Sequence, residues 1–267
     1  MKLRPAVCPK IRLQQQSCDT KMAAKPKILI GTSGFHYEHW IGPFYEEGLN
    51  AKNFLEFYSR HFQTVELNNT FYRMPQPEMI EKWRDAVPAS FIFAAKASRF
   101  ITHIKKLYDV RDPLKLFLER MELFEKKIGP ILFQFPPSWH RDMERLSAFL
   151  PLLSKEFKYA FEFRHPSWFD QQLYDLLKKY KAAFCIHDFG GKLTPKIITA
   201  KFVYIRYHGP TSGPYTGKYS DSNLKVLAKD IRSWAEQKKD VYCYFNNDQA
   251  GYAVANAMTL SKMVSAG

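Results

Sequence analysis

Glu162 and Arg164 stand two residues apart in Phe161-Glu162-Phe163-Arg164-His165-Pro166-Ser167-Trp168, a stretch that otherwise reads as a buried strand. Side chains alternate faces along a strand, so the two phenylalanines share one face and the carboxylate and guanidinium the other. Charge turned into a sheet is tolerated only when paired or coordinated, which leaves a structural ion pair or a working site as the two readings. The same pattern recurs at the ends of other apolar runs, with Glu66 and Asn68, Lys96, Gln134, His187 with Asp188, Arg206 with His208, and Tyr244 with Asn246, Asn247 and Asp248. Glu66, Glu162, His208 and Asp188 are the candidates for acid-base catalysis. Asn68, Lys96, Gln134, Arg164, Arg206, His187, Tyr244, Asn246, Asn247 and Asp248 are the candidates for substrate binding.

This mixture suits an anionic partner, either nucleic acid or a phosphorylated small molecule, because Arg makes bidentate contacts with phosphate or carboxylate. The leading expectation is phosphodiester hydrolysis of nucleic acid, with Glu162 as base, His208 as acid, and Arg164, Arg206 and Lys96 stabilising phosphate charge. The alternative is an isomerase or lyase acting on a sugar or sugar phosphate, with Glu66 and Glu162 moving protons. A third reading is a non-catalytic nucleic-acid or protein-binding module. A divalent metal is considered as a cofactor, with Glu66, Glu162, Asp188 and His208 as its ligands. The three neighbouring cations argue against that ion, since they would compete with it or do its work.

Eight apolar runs supply the strands that position these residues: 28–31, 64–68, 91–96, 131–135, 159–164, 182–188, 202–208 and 241–246. Helical periodicity falls between them at 50–61, 77–85, 113–127, 143–150, 168–179 and 223–237, and again at 251–263. Eight strands alternating with helices over this length predict an α/β fold, a single TIM-type (β/α)8 barrel, with a doubly wound open sheet as the alternative. A barrel requires one face of each strand to be apolar, toward the helices, and the other to turn polar near its C-terminal end. Val65 and Leu67 against Glu66 and Asn68, and Val203, Ile205 and Tyr207 against Tyr204, Arg206 and His208, obey this rule. The faces of the sixth strand, ending His187-Asp188, cannot be assigned. In barrel enzymes the active site lies where the C-terminal strand ends converge, so the polar ends become one constellation.

The 267 residues are 46% hydrophobic and 16% aromatic, enough to bury a sizeable core. The formal net charge is +14, but residues 1–27 hold seven basic residues and one acidic one, leaving +8 on the remainder. Lys126-Lys127, Lys178-Lys179-Lys181 and Lys238-Lys239 close predicted helices and therefore face the bottom of the barrel, where they complement helix dipoles. Arg73, Arg99, Lys105, Lys106, Lys192, Lys196 and Lys218 belong to the loops around the mouth. Residues 1–27 lack apolar periodicity and are expected to form a disordered extension, with Met22 as an alternative start; the barrel domain is placed at 28–267. The absence of a long apolar run and the lack of metal-binding cysteine spacing predict a cytoplasmic protein.

Several segments carry a family resemblance. They are Ile30-Gly31-Thr32-Ser33-Gly34-Phe35, Glu66-Leu67-Asn68-Asn69-Thr70-Phe71-Tyr72, Gly129-Pro130-Ile131-Leu132-Phe133-Gln134-Phe135-Pro136-Pro137, Glu162-Phe163-Arg164-His165, Tyr204-Ile205-Arg206-Tyr207-His208-Gly209 and Phe245-Asn246-Asn247-Asp248. In these the sequence resembles the YecE-like family, also called domain of unknown function 72, over nearly everything after Lys27. The resemblance implies a TIM-type barrel and supplies no catalytic assignment.

Overall fold

In the computed structural model, which describes residues 25–213 and 215–266, the eight expected strands are present. The expectations for residues 1–24, including the start at Met22, lie outside the described residues. The strands are β1 (Ile28–Thr32), β2 (Thr64–Leu67), β3 (Ile92–Lys96), β4 (Ile128–Gln134), β5 (Tyr159–Glu162) and β6 (Ala183–Phe189), then a two-residue β7 (Lys192–Leu193), β8 (Phe202–Tyr207) and β9 (Asp240–Phe245). All but β7 pair in parallel, in the order β1-β9-β8-β6-β5-β4-β3-β2. The sheet is a nearly closed barrel. Helices occupy most crossovers: α1 (Phe54–His61), α2 (Asn69–Tyr72), α3 (Pro77–Asp85), α4 (Arg111–Glu122), α5 (Met143–Phe149), α6 (Gln171–Lys179), α7 (Asp221–Glu236) and the closing α8 (Tyr252–Ser265). The crossover from β6 to β8 has no helix; β7 folds back antiparallel on β6 instead.

The seam between β1 and β2 closes by side chains where the backbone ladder is sparse. Ser33 bridges Glu66 at the top, and Gly34 N–H donates to the Glu66 carbonyl at 2.8 Å. Lower down, Tyr58 of α1 stitches the two strands. Its hydroxyl accepts from Thr32 N–H at 3.0 Å and donates to the Thr64 carbonyl at 3.0 Å. Gly31 is required here because a Cβ would run into the Thr64 carbonyl oxygen.

Period-2 alternation divides the core into two parts. Outward residues pack under the helices, with Phe133 stacked on Phe161 at 5.3 Å and Phe163 on Trp168 at 4.4 Å. Inside, the lower barrel is filled by Leu29, Ile92, Leu132, Ala160, Phe202 and Tyr242, and the tyrosines Tyr204 and Tyr244 lie among them. Helix starts follow local chemistry: Asp142 accepts from Arg145 N–H and Asp170 from Leu173 N–H, each at 2.9 Å, which satisfies donors left open at the first turn. Some of the lysines at the barrel bottom have structural partners. Lys127 donates to the Val87 carbonyl at 2.7 Å, and Lys178 pairs with Asp175 at 3.4 Å.

Candidate functional site

Arg206 is the centre of the polar constellation. It projects inward from β8 and is fully buried, as are Glu66 on β2 and Glu162 on β5. Its Nη2 donates to Glu66 Oε1 at 2.8 Å and its Nη1 to Glu162 Oε2 at 2.7 Å, so one guanidinium spans the barrel and binds both carboxylates. Arg164, just past the end of β5, adds a second bond to Glu162 through Nε at 2.9 Å and lays its guanidinium 4.2 Å from the Phe189 ring centre. Burial alone would raise the Glu162 carboxyl, but Arg206 and Arg164 overcome it and hold the group well below the ordinary carboxylate range. Glu162 is therefore a clamped anion and a weak base.

Glu66 is equally saturated. Ser33 Oγ donates to its Oε1, Arg206 Nε donates to the same oxygen at 3.1 Å, and Tyr204 O–H donates to Oε2 at 2.6 Å. Ser33 and Tyr204 were absent from the candidates drawn from sequence. Tyr204 lies two residues before Arg206 on the same strand face, and that periodicity was the available signal.

His208 also faces inward and is buried, with its ring pushed down to about 3 by burial and by the Arg206 charge, against the pull of Glu162. It is neutral at neutral pH. Its Nδ1 lies 3.2 Å from Asn246 Nδ2, and its Nε2 lies 3.4 Å from Glu162 Oε1 and 3.5 Å from Arg206 Nη1. His187 pairs with Arg206 across the β6–β8 register, so β6 turns His187 and Cys185 inward and Asp188 outward. Burial lowers His187 too. Gln134 sits beside Glu162 in the β4–β5 register and donates to its neighbour's carbonyl, Phe135 O, at 2.7 Å. Tyr244 lies deeper, hydrogen-bonded to Thr64 Oγ1 at 2.7 Å.

Two expected members are elsewhere. Asp188 accepts from His208 N–H at 2.6 Å and from the Tyr219 hydroxyl, away from the barrel centre, and burial raises it to about 6. Its role there is to hold the β8 end and the loop after it. Asn247 is buried against α8, donating to Gly217 O at 2.8 Å and Asn256 Oδ1 at 3.0 Å. Lys196, expected at the mouth, is paired with Asp230 of α7 at 2.6 Å.

The four residues considered as metal ligands do not fit a bound divalent ion. Arg206 already occupies the space between Glu66 and Glu162, and Asp188 faces away. Among the described residues no group of three or more His, Cys, Asp or Glu side chains is disposed to hold a metal ion.

Above the sealed network lies an open cleft of about 440 Å³ at the C-terminal mouth, lined by Gly34, His36, Tyr37, Asn68, Tyr72, Lys96, Tyr215, Asn246 and Asp248, among others. Asp248 accepts from Trp40 Nε1 at 2.6 Å and pairs with His39 at 3.1 Å; burial raises it to about 6. Lys96 is the unusual member. Its side chain is only 9% exposed at the end of β3, with Nζ 3.9 Å from the Phe71 ring centre. Among the described residues this amine has no carboxylate in ion-pair range. Burial, reinforced by the Arg206 charge, lowers it from 10.5 to about 7. An aromatic face stabilises the ammonium weakly compared with lost water, so the amine spends much of its time neutral at neutral pH.

Barrel, clamped polar floor and cleft together define a TIM-type (β/α)8 protein with its polar site at the C-terminal ends of the strands. The chain belongs to the family described as "Protein of unknown function DUF72", which matches residues 29–267. It is similar to UPF0759 protein YecE of Escherichia coli K12, at 38% identity over 143 residues covering 53% of this chain, a match that spans half (50%) of YecE's length. It is also similar to UPF0759 protein YunF of Bacillus subtilis, at 28% identity over 89% of this chain and 94% of YunF. A DUF72 family protein of Thermotoga maritima MSB8, solved by crystallography, superposes with a TM-score of 0.80 at 30% identity over 90% of this chain and 99% of that one. No helix among the described residues is long and apolar enough to cross a membrane.

Proposed function

We propose that this protein is an enzyme that moves protons on a small anionic substrate, an isomerase or lyase acting on a sugar or sugar phosphate bound in the mouth cleft. The observation that carries the reading is Lys96, a buried amine that has no carboxylate partner among the described residues and opens on a cleft of about 440 Å³. That volume is in the range of small-molecule sites. In the floor Arg164 and Arg206 offset Glu162 and Glu66, so no net negative charge opposes an anionic group, while Asn68 and Asn246 supply neutral hydrogen bonds at the walls. An amine with its proton affinity near neutrality is the efficient general base at that pH. This reading reassigns the proton transfer from Glu66 and Glu162, which Arg206 clamps, to Lys96.

A second reading, phosphodiester hydrolysis of nucleic acid, is favoured by the rim of the cleft. Tyr72 is 79% exposed beside Arg73, a stacking face next to a cation. It needs a different acid and base from those expected, because Glu162 is clamped and His208 is neutral.

The test is a thermal-shift screen of phosphorylated sugars, followed by proton NMR of each binder with the enzyme in D2O. The expected result is exchange of a carbon-bound proton adjacent to the carbonyl, abolished in Lys96→Met. Absence of both binding and exchange across the panel, with cleavage of labelled oligonucleotides instead, would replace this reading with the second.

A further inference from the structure

We propose that Lys96 is a covalent nucleophile, forming an imine with the carbonyl carbon of a phosphorylated aldehyde or ketone held in the mouth cleft. The inference rests on the function proposed above and specifies how the same site handles its substrate. Three structural features point to it. First, the Lys96 stem is buried at the end of β3 while its amine opens on the cleft, so an approaching carbonyl meets the nitrogen without displacing an ion pair. Second, Phe71 covers one side of the amine at 3.9 Å and excludes water from that side. Third, Glu66 and Glu162 are held in ion pairs by Arg206 and Arg164, so neither carboxylate is free to pair with the amine. In the helical turn after β3 (Phe100–Ile104), His103 packs its ring edge 4.9 Å from Phe71 and is lowered to about 4, chiefly by burial, so it adds no competing cation at neutral pH.

Neutral Nζ attacks the carbonyl carbon, the C–N bond forms and the carbonyl π pair moves to oxygen, which takes a proton to give a carbinolamine. The hydroxyl leaves with a second proton, drawn from solvent in the open cleft, as one water. The nitrogen loses one of its two original protons and remains as a protonated imine. That cation withdraws electrons from the adjacent carbon and acidifies its proton, which is the chemistry an isomerase or lyase of this class requires.

The lowered amine also sets the size of the effect. At about pH 7 roughly half of Lys96 is free amine, against about one part in two thousand or fewer for an exposed lysine with its usual value near 10.4. Lys96 should therefore outcompete any single surface lysine by about a thousandfold in free-amine population.

The experiment incubates the full chain with dihydroxyacetone phosphate or ribose 5-phosphate at about pH 7, adds sodium borohydride, and reads intact mass followed by peptide mapping. Borohydride delivers hydride to the imine carbon and leaves a stable secondary amine. The expected result is one reduced adduct per chain, on the peptide containing Lys96, absent without borohydride and absent in Lys96→Met. Lys96→Arg, which keeps the charge, is the second variant and should also lose the adduct while retaining the wild-type circular dichroism. Adducts spread over surface lysines at equal yield would overturn the inference. So would Lys96-dependent deuterium exchange with no trapped adduct, and in that case the proposed proton-transfer function stands with Lys96 as base alone. Failure of binding and exchange together would instead remove the proposed function.

Discussion

Replacing Lys96 with Met should stabilise the protein at neutral pH, by an amount that shrinks as pH rises. Met keeps most of the stem volume and its contact with Phe71, so packing changes little. The folded amine is lowered to about 7, while in the unfolded chain it returns to about 10.5. Between those values the unfolded state holds a proton that the folded state has released, so wild-type stability rises with pH through this window. Below it the ammonium is charged in both states and the full cost of burying it is paid. Each pH unit of separation corresponds to ~1.4 kcal/mol, which makes the full penalty about 5 kcal/mol at acidic pH. The difference in unfolding free energy between Lys96→Met and wild type should fall by about 2 kcal/mol between pH ~7 and pH ~9. Urea unfolding of both proteins across that range reads it directly, and other titrating groups cancel in the difference. A difference that stays flat with pH would refute the desolvated amine, and with it the reason for placing proton transfer or imine chemistry on Lys96.

Arg206→Leu should destabilise the fold by about 3–5 kcal/mol, because it strands two buried carboxylates without their shared cation; chemical denaturation measures the loss. Glu162→Gln should flatten the acid limb of the stability curve. The wild-type carboxylate lies well below 4.5 when folded, so its contribution is complete above that value and is lost as pH falls through the folded one. Urea midpoints below pH ~5 compare the two proteins. Gly31→Ala should lower the melting temperature by several degrees, since the added methyl group drives β1 away from the Thr64 carbonyl at the seam. Tyr58→Phe, which removes the hydroxyl bridging the same two strands, should destabilise the fold by about 1–3 kcal/mol, because Thr32 N–H and the Thr64 carbonyl both lose that partner; urea unfolding measures it.

Most of the barrel was legible in the chain because period-2 patterning survives in each strand, and the predicted strand bounds differ from the observed ones by only a few residues. Helix positions were legible for a similar reason, and their starts sit at Asp142, Asp170 and Ser220, whose side chains satisfy the first-turn donors. The β6–β8 connection was not readable as a hairpin, because Lys192-Leu193 is too short to carry a period. Alternation along β6 alone does not assign the face of Asp188. The Cys185–Tyr204 and His187–Arg206 register settles that face, and it requires the neighbouring strand.

The sequence by itself determined which residue types would gather at the mouth of a barrel, since alternation along each strand and the position of the C-terminal ends require no knowledge of distant contacts. It could not determine how those charges would be shared. Only the closed barrel brings Glu66 from β2 and Glu162 from β5 onto one guanidinium, and residues up to 140 positions apart in the chain have no local signal of pairing. That sharing converts the expected base into a clamped anion. It leaves Lys96, which strand chemistry alone would class as one more cation, as a buried amine with no carboxylate in ion-pair range among the described residues: burial and neighbouring charge are properties of the assembled barrel, and they set a group's proton affinity more than its residue type does.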